Sequence, residues 1–151
     1  MSVNPFDPKT VLLAKHAQHV VLIHFPIALF LTAVAFDFLA HWTSNRTLAA
    51  AAYFNLLVAA ISTVPVVVSG LAAWRWALGG QRLKGILLMH LILGCVSAVL
   101  IWLVLWIHQR ARRLPHRPSP RYRLPLEAIA VLIVELTGHL GGFLSGVNLP
   151  S

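Results

Sequence analysis

Residues 84–107 read KGILLMHLILGCVSAVLIWLVLWI, a run in which Lys84 is the one formally charged side chain. As a helix rising about 1.5 Å per residue it is about 36 Å long, enough to cross a hydrocarbon core of about 30 Å. Three further runs meet the same test, at residues 19–42, 49–74 and 126–147. The 151-residue chain is 58% hydrophobic and 11% charged, against about 25% charged for a soluble domain. These spans use most of the chain, which predicts one integral membrane domain with no separate soluble module and excludes a soluble enzyme.

The links set the architecture. Residues 41–46 and 78–82 are tight connections, and short links make consecutive spans antiparallel neighbours, so the sequence predicts an all-α, up-down four-transmembrane-helix bundle. Residues 109–125 hold four prolines and six arginines and are expected to be extended. Asp7-Pro8 has the form of a helix start, which predicts a short interfacial helix over residues 9–18 that runs into the first span. A cleavable leader is not expected, because the first apolar run follows the polar stretch Asn4-Pro5-Phe6-Asp7-Pro8 and is long enough to span. Cys95, the one cysteine, falls inside the third span, so no intrachain disulfide can form.

The net charge of +8 is concentrated: six of the twelve basic residues lie between Arg110 and Arg123. A basic segment beside a span is a topology determinant and an anionic-lipid contact, and without an aromatic platform or basic helix face it argues against nucleic acid. The face bearing the N-terminus and the second link, face A, carries Lys9, Lys15, Arg75, Arg82 and Lys84. Face B, bearing the first and third links, carries Arg46 and the six arginines. Seven against five places face B in the cytoplasm, with both termini outside, in the periplasm if the membrane is a bacterial inner one.

Ionisable groups within spans are costly, so the histidines are informative. His41, His108 and His116 fall at or beyond face B, where solvation is cheap. His24 and His90 each lie about 9 Å to the face A side of their span's middle, and His139 about 4 Å. Spans one and three run parallel and sit diagonally across an up-down bundle. Two imidazoles at one level on a diagonal can grip a flat macrocycle from both sides, which predicts a bis-histidine haem b on His24 and His90, with His139 as a substitute ligand. Such iron has no open position, so electron transfer is expected rather than catalysis. Gly94, four residues after His90, gives a porphyrin room, and Arg75, with Arg82 and Lys84, can neutralise propionates at face A. Pro26 can bend span one around a ligand, and Gly138, Gly142 and Gly146 form a small-residue stripe. The pairs Asp37/His41 and Glu135/His139, each four apart, are taken as structural.

The segment His19-Val-Val-Leu-Ile-His24-Phe-Pro-Ile-Ala-Leu29 resembles the first-span signature of the predicted membrane proteins of domain of unknown function 2231. A histidine early in span three, here His90, and a glycine pair late in span four, here Gly141-Gly142, extend the resemblance over nearly the whole chain. Members commonly have proline after the first histidine, where this chain has Val20, and a longer tail than one ending at Ser151. Some relatives are joined to cytochrome c modules, so the resemblance implies a redox setting. The leading expectation is a small b-type cytochrome-like subunit, with other membrane subunits of a redox, photosynthetic or respiratory complex as partners. A haem-free scaffold that binds lipid, pigment or partner helices is the alternative, and a histidine-based metal transporter fits less well, since no carboxylate or thiol joins the histidines at their depth.

Overall fold

Four long helices account for nearly all of the residues that the computed structural model describes, which are 17–113 and 120–145. They are α1 (Ala17–Thr43), α2 (Arg46–Ala72), α3 (Gly85–Arg113) and α4 (Arg123–Leu144). Each is long and apolar enough to cross a membrane. A helix of 27 residues, the length of α1 and of α2, is about 40 Å long, so its ends reach past a core of about 30 Å into the headgroups. The expected interfacial helix at 9–18 falls almost entirely outside the described residues, as do His16, His116 and Gly146.

Local chemistry sets the turns. Ser44 adopts φ 53°, and the Asn45 side chain accepts hydrogen bonds from the Thr47 and Leu48 amides at 2.8 and 3.3 Å, capping α2 two residues after α1 ends. At face A, α2 passes through a π-helical turn, Ala73–Ala77, and the chain reverses at Gly79 and Gly80, whose φ of 61° and 64° suit glycine. Trp74 Nε1 donates to the Gln81 carbonyl at 2.9 Å across this link.

The third link is shorter than expected. Helix α3 continues through Gln109 to Arg113, and α4 starts at Arg123, so the described parts of residues 109–125 are largely helical rather than extended. Pro125 falls in the first turn of α4, where its missing N–H costs no helical bond, and so does not delay the start.

Each helix packs on the next, and α4 closes on α1, leaving α1 and α3 on a diagonal. Packing is most extensive within the α1–α2 and α3–α4 hairpins and sparser between them. The interior is layered. Ile23, Pro26, Ile27, Thr63, Val66, Gly94, Ser97, Val134 and Thr137 surround a cavity of about 80 Å³ in the face A half. Beneath it Phe30, Leu56, Ala59, Ala60, Ile101, Leu105 and Ala130 close the bundle with buried apolar side chains. The outer surface is apolar as well, with Val21, Phe54, Val68, Val99 and Leu132 exposed, as lipid-facing positions require.

Candidate functional site

Polar side chains gather at two levels of this interior. The first is one helical turn above the cavity on the face A side. Counting four residues from Ile23, Val66, Gly94 and Thr137 in the cavity wall reaches His19, Gly70, His90 and Gly141, one from each helix. Both imidazoles come from the diagonal helices, and both glycines from the other two. Each ring lies over the glycine of the following helix. A Cβ on Gly70 would stand 2.9 Å from His19 Cε1, and one on Gly141 would stand 3.2 Å from His90 Cε1.

His90 Nδ1 donates to the Thr137 carbonyl at 3.1 Å, which leaves Nε2 as the acceptor nitrogen, the form that ligates metals, and the bond from Nδ1 is the support that ligating histidines use. His19 Nδ1 lies 3.0 Å from Ser69 Oγ, which in turn donates to the Val66 carbonyl at 2.9 Å.

Of the other residues singled out in the sequence, Gly94 lies in the cavity wall, where a Cβ would meet Thr137 Cγ2 at 3.9 Å. Arg75 is exposed at face A, its guanidinium beside Gly80. His24 is exposed, with Nδ1 donating to the Val20 carbonyl at 2.6 Å. His139 is also exposed, its ring edge-on to Phe143 at 5.0 Å.

The second polar level lies beyond the apolar layer, near face B. Asp37 of α1, His108 of α3, and Arg123 and Glu127 of α4 meet there. His108 Nε2 is 2.8 Å from Glu127 Oε1, and Arg123 Nη2 is 3.0 Å from Asp37 Oδ2. His108 Nε2 stands 4.0 Å from Asp37 Oδ2, and Arg123 Nε 3.9 Å from Glu127 Oε1. Asp37, His108 and Glu127 are buried, Glu127 with 1% of its surface exposed. One ligand atom from each of the three lies within 4.8 Å of the others. Asp37 therefore pairs across the bundle with Arg123 rather than along its own helix with His41, which is exposed. His108 is not solvated at the membrane surface: α3 continues past it to Arg113, which carries it into the interior.

The fold and these interior groups define a four-helix integral membrane protein with ionisable side chains inside the bundle. The chain belongs to the family described as predicted membrane protein, domain of unknown function 2231, whose model matches residues 15–147. No curated protein and no solved structure matches it.

Proposed function

We propose that the protein is a small electron-carrying subunit of a membrane redox complex that holds a b-type haem between His19 and His90. The observation that carries this reading is the level of four residues at the top of the cavity. Two imidazoles stand on diagonal helices, while glycines occupy the other two helices at the same height. A Cβ at either glycine would press on the imidazole beside it, so the two glycines let both rings sit at this level, on the diagonal from which a flat macrocycle would be gripped from both sides.

His90 remains from the pair expected in the sequence, and His19 takes the place of His24. The cavity of about 80 Å³ is smaller than the roughly 300 Å³ at which ligand pockets begin, so entry of the group requires the two hairpins to part at their sparser interface. When bound, the group supplies one-electron redox chemistry. The protein's part is to orient both rings through Thr137 and Ser69, to surround the site with a largely apolar wall, and to offer Arg75 at face A to acidic substituents. His24 and His139, polar groups on outer faces of the bundle, suit contact with partner helices in the complex. Face B is taken as cytoplasmic.

The test is the visible spectrum of the full-length protein, produced with haem in excess and purified with its partners. A low-spin b-type spectrum is expected, abolished or converted to a high-spin form by His19→Ala or His90→Ala and unchanged by His24→Ala. Loss of low-spin ligation in His24→Ala, with His19→Ala normal, would move the axial pair to the outer face of α1. A colourless protein would remove the cytochrome reading and leave the scaffold.

A further inference from the structure

The charges at face B do not balance. Asp37 and Glu127 bring two negative charges and Arg123 one positive, and among the described residues no other charged side chain forms an ion pair with them. From α2 the neighbours are Ala52 and Leu56. Arg112, one turn beyond His108 on α3, is exposed and stacks on the Tyr53 ring at 4.2 Å. A net negative charge inside an apolar bundle is costly unless something neutralises it. Moreover, Glu127 Oε2 is buried without a hydrogen-bond partner among the described residues.

Two neutralising agents are chemically conceivable, a metal cation and a proton, and space and charge decide between them. The void walled by Asp37, His108, Glu127, Ala33, Val34, Ala52, Leu56 and Val104 has no room for a water molecule. A divalent ion on the two carboxylates and the imidazole would leave the guanidinium's charge uncompensated. One proton brings the sum to zero and occupies no volume, and the 2.8 Å contact between His108 Nε2 and Glu127 Oε1 is a ready-made place for it.

We propose that Asp37, His108, Arg123 and Glu127 form a binding site for a single exchangeable proton, shared between His108 and Glu127 and loaded from face B. Access is from that side. Asp37 is six residues, or about 9 Å, from the end of α1, whereas Phe30, Ile101 and Leu105 seal the other direction. The site is a dead end for water and hence a proton acceptor rather than a channel. It does not depend on whether haem is bound at face A.

Infrared spectroscopy of the full-length protein in liposomes at neutral pH, with and without deuterium exchange, tests this. With Glu135, the other carboxyl of α4, replaced by glutamine throughout, a carboxylic acid carbonyl stretch or an imidazolium ring mode, shifting on exchange, is expected in the otherwise native protein. It should be lost in Glu127→Gln, where the remaining Asp37 and Arg123 already balance. Asp37→Asn removes one negative charge from the neighbouring helix α1 and serves if the first variant does not fold; the same loss is expected there. Absence of both signals from the native protein, or their persistence in a folded variant, would overturn the proposal. Stoichiometric zinc binding in equilibrium dialysis, abolished by His108→Ala, would overturn it in favour of a metal site.

Discussion

A histidine's depth in a helix says nothing of the direction in which it points, and the difference between His19 and His24 turns on this. At about 100° per residue, His24 is rotated about 140° from His19, whereas Phe30 and Asp37 fall back on the His19 line. Counting depth alone put His24 level with His90; adding azimuth would have put it outside. The same count would have exposed the face B cluster. Asp37 follows His19 by eighteen residues and His108 follows His90 by eighteen, five whole turns in each case, so all four share their helix's inner stripe. The pairing across helices was not legible, since nothing in the sequence sets the rotation of α4 that brings Arg123 and Glu127 inward. At this scale Gly141 gives a sharp prediction. Gly141→Leu must displace the His90 ring, because even a Cβ stands 3.2 Å from its Cε1. If the proposed haem is bound, its retention should fall to background while the protein still inserts and migrates as the native form. Gly94→Leu, which fills the cavity wall one turn below, should also lose the haem. Normal retention in both variants would remove the glycines from the site.

Among elements, the two hairpins differ from their interface. Hydropathy located all four helices to within a few residues of where they lie, because lipid demands unbroken apolar runs. Their ends escaped it at the third link, where helix-compatible Gln109, Arg110, Ala111, Arg112 and Arg113 prolong α3 towards Pro115, before which helices tend to end. The ion pair from Arg123 to Asp37 fastens the start of α4 to α1, joining the hairpins where their packing is sparse. Removing one partner of a buried pair costs about 3–5 kcal/mol, since the other charge is left without its counterion. Arg123→Gln should therefore destabilise the bundle by about that amount in detergent unfolding. The double variant Arg123→Gln with Asp37→Asn should recover a good part of the loss. An Arg123→Gln protein as stable as the native one would mean that the pair does not join the hairpins.

For the molecule as a whole, the position of Arg123 changes the argument for orientation. The count of seven basic residues at face B includes Arg123, whose charge is spent on Asp37 inside the bundle. By sequence position six remain for face B, Arg46, Arg110, Arg112, Arg113, Arg117 and Arg121, against Lys9, Lys15, Arg75, Arg82 and Lys84 for face A. Six against five is a narrow margin, but the residues differ in setting. Arg110 lies 5.5 Å from the centre of the Trp106 ring and Arg112 4.2 Å from that of Tyr53, so both stay beside the end of α3, close to a span, where basic residues weigh most in topology. Orientation also gives the proton site its meaning, for a cluster loaded from face B takes protons from the cytoplasm only if face B is cytoplasmic. Cysteine labelling on intact cells measures this directly. In a Cys95→Ser background, Gln81→Cys in the second link should react with a membrane-impermeant maleimide added outside, and Arg121→Cys before α4 should react only after the membrane is opened. Both positions are exposed, so failure to label reflects sidedness rather than burial. The reverse pattern, with position 121 labelled from outside and position 81 protected, would invert the molecule, place the level of His19 and His90 near the cytoplasm and make the proposed proton site a receiver of protons from outside.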